Sequence, residues 1–234
     1  MRFLSSRVWI GVATFGATAA ACLADVLHST TTRMNPLIPT PIPASISVRQ
    51  AANEEAYPLI TNMINDAFRH YHPMYAKDLS LERVTPDGKQ VATLMEKPCN
   101  TFLVAEETKD DESTSVVGCV HVCWSGETDS EDGDVDAHFG MLSVAKGCSG
   151  RGIGKLLVSA AEERCRKELR RKELRRKEIV MEISIAGFFP ELLGWYETQG
   201  YRKKRSIPFP LPELVRDGCD FVLELMTKTI SLDH

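Results

Sequence analysis

Along this chain, stretches with apolar residues every second position alternate with stretches where they recur every three or four. Ile46 to Arg49 alternates and predicts a first strand. From Asn53 to Phe68, Ala56, Leu59, Ile60, Met63, Ile64 and Ala67 fall on one helical face. Thr85-Pro86 is an N-cap followed by proline at the first helical position, so a second helix is expected from there to about Met95. Thr101–Glu106 and Ser115–Trp124 predict two strands joined by a polar hairpin loop, and Val135–Val144 predicts the central strand. The helix expected from Gly152 to about Lys172 carries Ile153, Leu156, Leu157, Ala160, Ala161 and Cys165 as its apolar stripe. Ile179–Ile185 reads as a buried strand, Glu191–Gln199 as a short helix stopped by Gly200, and Phe221–Thr227 as the last strand. The polar and aromatic stretch His70–Leu81 reads as a loop or short helix, and Gly126–Asp134 as an acidic connection. The order gives an α+β fold with one strand–turn–helix–strand unit at its centre.

Composition narrows this picture. With 234 residues, 43% hydrophobic and 26% charged, the chain suits one domain over residues 46–230 behind a distinct segment 1–45. A net charge of -4 offers no general attraction to nucleic acid. The seven cysteines are scattered without a C-x-x-C pair. Cys119 and Cys123 would share a strand face about 13 Å apart, too far for a disulfide. They read as free thiols of a reducing compartment. No His/Cys/carboxylate cluster has zinc spacing, so no metal is expected.

The first 45 residues differ from the rest. Arg2 and Arg7 precede an apolar run from Val8 to Ala24, followed by a stretch with Pro36, Pro39, Pro41 and Pro43 that reads as an extended linker. Three readings stand: a secretory signal through residues 1–24, a mitochondrial presequence, and translation from Met34. The run is short and poor in Leu and Ile for a membrane span, so membrane partnership is not expected.

The segment that points to chemistry is Leu142-Ser143-Val144-Ala145-Lys146-Gly147-Cys148-Ser149-Gly150-Arg151-Gly152-Ile153-Gly154-Lys155. A strand enters a glycine-rich turn and a helix begins at once. Glycines let backbone N–H groups converge, and the new helix adds unpaired N–H groups and the positive end of its dipole. A diphosphate fits such a cradle. The pattern is neither G-x-G-x-x-G nor a Walker A loop. By itself the turn is equally consistent with a packing turn.

In combination these residues resemble the GNAT superfamily of N-acetyltransferases. Its central motif, R/Q-x-x-G-x-G/A after a strand ending L-x-V, is matched by Leu142-Ser143-Val144 and Ser149-Gly150-Arg151-Gly152-Ile153-Gly154. A second block, Pro190 to Tyr201, sits where the family has its fourth helix and the following strand. FGMLSV, GRGIG and PELLGWYETQGY together look like a small microbial branch of that superfamily, over about residues 46–230.

The resemblance implies a mixed, mostly antiparallel sheet flanked by helices, with a CoA cleft after the central strand. It implies acetyl-CoA as co-substrate and an amine, small-molecule or protein-borne, as acceptor. Leu142, Ser143 and Val144 would hold the pantetheine arm. Ser149, Gly150, Arg151, Gly152, Ile153, Gly154 and Lys155 would hold the pyrophosphate. Ser149 replaces the family's Arg or Gln, which shortens its reach, and Arg151 is placed to compensate. In direct transfer within a ternary complex, a backbone N–H near Leu142 would stabilise the oxyanion. Tyr196, in Trp195-Tyr196-Glu197-Thr198-Gln199-Gly200-Tyr201, would be the general acid toward the leaving thiolate.

For the base, Asp134, Asp136 and His138 alternate on the central strand, and His138 has a suitable ordinary pKa. The family's need for acetyl-CoA favours an intracellular, cytoplasmic place over the mitochondrial and secretory alternatives, and a homodimer fits the family's habits. His70, Tyr71, His72 and Tyr75 lie where relatives shape the acceptor pocket.

Two further features carry weaker readings. The acids of Gly126–Asp136 form a solvated lip that could steer a cationic amine. The tandem repeat Lys167–Arg171 and Lys172–Arg176 reads as a solvated helix extension, with an RNA or acidic-membrane patch as its alternative. The rivals to an acetyltransferase are therefore a CoA-binding module with little turnover and an interaction protein using this repeat.

Overall fold

Among the described residues, seven strands form one sheet: β1 (Ile46–Gln50), β2 (Asn100–Thr108), β3 (Thr114–Trp124), β4 (Ala137–Val144), β5 (Glu178–Ala186), β6 (Arg202–Pro208) and β7 (Val222–Ser231). Their order is β1-β2-β3-β4-β5-β7-β6, and only β4 and β5 pair in parallel. The structure is a computed structural model. It describes residues 45–69, 82–124, 135–171, 177–210, 212, 215–218 and 222–233. The N-terminal segment before Ser45, the loop His70–Leu81, the acidic connection up to Asp134 and the second repeat copy Lys172–Arg176 lie outside the described residues. No described helix is long and apolar enough to cross a membrane.

Helices α1 (Leu59–Arg69) and α2 (Lys89–Glu96) cover one face of the sheet. There Ile60, Ile64, Val91 and Leu94 pack with Phe102, Val104, Cys119 and Met141. Helix α3 (Ile153–Arg171) and the short α4 (Pro190–Thr198) cover the other. There Leu157, Ala161, Cys165, Leu192 and Tyr196 join Phe139, Leu142, Ile183 and Met226.

Four expectations are corrected. The residue pattern leaves out strand β6, which only the resemblance places after the fourth helix. All of Arg202–Ser206 is exposed, so this edge strand buries no face that could leave a two-residue period. The first helix is divided: Asn53–Ala56 is a 3-10 turn, and Pro58 stands just before α1. The second begins at Lys89 rather than Pro86. Thr85 instead closes a turn, its carbonyl accepting from Gly88 N (3.0 Å) and its hydroxyl from Gln90 N (3.2 Å). On α3 the buried stripe is rotated. Val158, Glu162 and Leu169 are buried, while Leu156 and Ala160 are only partly so.

The basic end of α3 around the first repeat copy is part of the scaffold. Arg166 Nε donates to Ser231 O (3.0 Å) and Arg170 Nη2 to Leu232 O, tying α3 to the end of β7. Beside it, the Arg164 guanidinium lies 5.5 Å over the Trp124 ring.

His121 on β3 is 2% exposed, 4.9 Å from the Phe102 ring, with Nε2 3.0 Å from Asn100 Oδ1. Burial, with smaller contributions from Arg83 and Lys97, pushes its imidazole down to about 3. Unfolding restores the ordinary value of about 6.5, so this group's stabilisation is complete above that pH and is lost as pH falls toward the folded value. Urea unfolding at pH 5 should therefore give about 2 kcal/mol less stability than at pH 7 from this group. His121→Gln should flatten that slope.

Candidate active site at the parting of two strands

Strands β4 and β5 touch only at their beginnings. Ala137 pairs with Met181 and His138 with Glu182. Just ahead of them Asp136 N donates to Val180 O (2.9 Å), and Val180 N donates to Asp136 Oδ2 (2.8 Å). Past His138 no pairing continues, although β4 runs on to Val144 and β5 to Ala186. The edges of 139–144 and 183–186 thus face a gap. A strand edge presents backbone donors and acceptors to whatever lies beside it.

A β-bulge shapes the same stretch. Cys119 pairs with Ser143 and His121 with Gly140, so Met141 and Leu142 together stand opposite Val120. Met141 takes a φ of 53°. The extra residue resets the alternation: Ala137 and Phe139 face the α3 core, and so do Leu142 and Val144, while Met141 turns into the α1–α2 core. On the α1 side of the bulge, Ile64, Phe68, Arg83, Met141, Leu142 and Ser143 line a small cavity.

After β4 the chain turns through Gly147, Gly150 and Gly152, with φ of 81°, 76° and 81°. Side chains rarely adopt these values, so glycine is required. A Cβ at Gly150 would meet nothing within 4 Å, which leaves open space beside the turn. Helix α3 starts at once with Ile153 and Gly154 buried and Lys155 exposed. Its first turn aims unpaired N–H groups out of the turn. The residues present therefore fit a CoA-type ligand: an open strand edge for an extended amide-bearing arm and an N–H cradle for a diphosphate.

Arg151 is committed elsewhere in this turn. It forms a fork with Glu107 on β2, through Nη1 to Oε2 at 3.1 Å and Nη2 to Oε1. This guanidinium holds the Glu107 carboxyl below its ordinary range. Compensation for Ser149 by Arg151, as the sequence suggested, would have to compete with that ion pair.

Of the base candidates, Asp134 lies outside the described residues. Asp136 is 1% exposed and ties β4 to β5. His138 sits where the strands part, its side chain 30% exposed and its Nδ1 3.6 Å from Glu182 Oε1. Burial pushes its imidazole down to about 4, which keeps it neutral at pH 7 with a lone pair to offer but makes it a weaker base than a free imidazole.

Tyr196 is fully buried, its ring 6.1 Å from Phe139, 4.7 Å from Trp195 and 5.9 Å from Tyr201. Tyr201 in turn donates to Glu162 Oε1 (3.0 Å), which also accepts from Lys228 Nζ (2.9 Å). Desolvation, with the Glu162 carboxylate beside it, pushes the Tyr201 phenol far up. Phe139 and His138 are consecutive on β4 and point to opposite faces. Tyr196 and His138 therefore flank the parting point from the two sides of the sheet.

Sequence reasoning missed Glu182 and Ser184, hidden in what read as an apolar strand, and the Glu162–Tyr201–Lys228 cluster. Among the described residues, no group of three or more His, Cys, Asp or Glu could hold a metal ion.

Residues 98–203 match the family model of the acetyltransferase (GNAT) domain. Solved structures share the fold over about four fifths of this chain. A GCN5-related N-acetyltransferase from Kribbella flavida is similar at TM-score 0.54 and 18% identity, over 80% of this chain and 99% of that one. Spermidine N-acetyltransferase from Vibrio cholerae, solved with CoA and spermine, gives 0.54 and 14%, over 79% and 95%. A phosphinothricin acetyltransferase from Sinorhizobium meliloti, solved with acetyl-CoA, gives 0.53 and 14%, over 80% and 89%. No curated protein matches the chain by sequence. The match over residues 98–203 and these structures give the chain the fold of GNAT acetyltransferases.

Gly152→Asp should weaken acetyl-CoA binding at least about tenfold in calorimetry, because it adds both backbone strain and a negative charge to the cradle.

Proposed function

We propose that the protein transfers the acetyl group of acetyl-CoA directly to a primary amine bound beside it in the gap between β4 and β5. The observation that carries this reading is the parting of those strands directly ahead of the glycine turn. Leu142, Ser143 and Val144 hold the pantetheine arm through backbone groups, and the turn from Ser149 to Lys155 holds the pyrophosphate. Acetyl-CoA supplies an activated thioester carbonyl. A backbone N–H at the bulge, near Leu142, stabilises the charge that develops on the carbonyl oxygen.

The residues on either side of the parting move the protons. A neutral amine forms the new C–N bond with its lone pair. His138, neutral at pH 7, takes the proton that the nitrogen must lose, directly or through water. The C–S bond breaks with its electron pair on sulfur, and the Tyr196 hydroxyl gives the sulfur a proton. Solvent exchange then returns a proton to Tyr196 and removes one from His138. The acceptor is a small-molecule or protein-borne amine, as the polyamine and phosphinothricin enzymes of this fold illustrate for their own substrates.

Ser149, together with the engagement of Arg151 by Glu107, favours one second reading: a CoA-binding module with little turnover. Thiol release measured over a panel of primary amines separates the two. Tyr196→Phe should lower kcat about 10²-fold while leaving acetyl-CoA affinity unchanged, as expected for removal of a general acid. Tight acetyl-CoA binding without thiol release in the native protein would support the module instead.

A further inference from the structure

Strand β5 continues past Glu182 with an arrangement that its packing does not require. Its odd residues Ile179, Met181, Ile183 and Ile185 fill the α3-side core. Glu182 and Ser184 alternate with them and so look to the other face, the one His138 also faces. The pairing with β4 has ended at Glu182, so Ser184 stands where the neighbouring strand has left. Ser184 is 4% exposed, and its buried Oγ has no hydrogen-bond partner. Buried hydroxyls are seldom left unpaired, so a water or a ligand atom is expected beside this one. Within the same gap the Glu182 side chain is 8% exposed and lies 3.6 Å from His138 Nδ1.

The chemistry of this set is one-sided. A carboxylate accepts hydrogen bonds, a serine hydroxyl can accept them, and a neutral imidazole offers one lone pair. A ligand complementary to this set brings several N–H donors and a positive charge on one small head. A primary ammonium has that composition, with three donors and no acceptor.

We propose that Glu182 and Ser184 form the head-group subsite that captures the acceptor as a cationic alkylamine, next to the base His138. This rests on the acetyl-transfer reading above and narrows it to acceptors that arrive positively charged. Glu182 pairs with the arriving ammonium and Ser184 Oγ takes one of its hydrogen bonds. The ammonium loses one proton to solvent before attack, and the second leaves through His138 as the C–N bond forms.

The test uses the full chain and the variants Glu182→Gln, Glu182→Asp and Ser184→Ala. Acetyl-CoA affinity is measured first by calorimetry and is expected to stay within about twofold of the native value, because none of these side chains belongs to the cradle. Thiol release is then followed with phenethylamine, cadaverine, spermidine and a lysine peptide. With the best of these amines, Glu182→Gln should raise the amine KM about tenfold or more and Ser184→Ala about threefold. The acetyl-CoA KM should not move, and Glu182→Asp should recover part of the loss.

An unchanged amine KM in Glu182→Gln, or an equal rise in the acetyl-CoA KM, overturns the subsite while leaving acetyl transfer standing. No thiol release from the native chain with any amine contradicts acetyl transfer itself and removes the subsite with it. Should Glu182→Gln fail to bind acetyl-CoA, Ser184→Ala decides alone, because loss of one hydroxyl on a strand face leaves the fold intact.

Discussion

Two parallel strands that begin paired and then separate organise the whole sheet. Asp136, Ala137 and His138 hold β4 to β5, and both strands then run on with a gap between them. Each needs its other edge satisfied. Strand β5 pairs with β7 along its length, from Glu178 with Ser231 to Ala186 with Leu223, and β4 pairs with β3. The bulge at Met141 and Leu142 keeps apolar side chains in both cores while β4 bends away. The separation is therefore held by packing on two faces and by antiparallel partners on the two outer edges.

The helices complete the gap from opposite ends. At one end, α3 begins where the glycine turn closes, and Ile153 and Leu157 anchor it to the core. At the other, α4 places Tyr196 against Phe139. The buried Glu162, shared by Tyr201 and Lys228, fixes the ring against which Tyr196 packs edge-on. Removing Lys228 would leave the buried Glu162 carboxylate without its cation, a change that usually costs several kcal/mol. Positioning of the candidate acid is thus tied to the stability of the α3–β7 side of the domain.

Much of this was legible in the sequence wherever burial has a simple period. Strand β3, expected at Ser115–Trp124, is Thr114–Trp124; β5, expected at Ile179–Ile185, is Glu178–Ala186. The glycine turn and the helix after it were readable because positive φ and a helix start leave a composition signature. The resemblance to GNAT acetyltransferases followed from that turn and from the Trp195-Tyr196…Gly200-Tyr201 block. Illegible features lacked such a period. β6 exposes its basic residues on both faces. The bulge at Met141 swaps one apolar residue for another. Glu182 and Ser184 sit among isoleucines, and only three-dimensional pairing reveals that the strand beside them has left.

The proposed acetyl-CoA site is the gap between β4 and β5 together with the glycine turn. Amide hydrogen exchange with and without acetyl-CoA tests it most directly. Protection is expected in 139–144 and 150–155, with no change in the basic stretch of α3 from Arg166 to Arg171. Protection confined to that basic stretch, or no protection at saturating acetyl-CoA, would contradict the account.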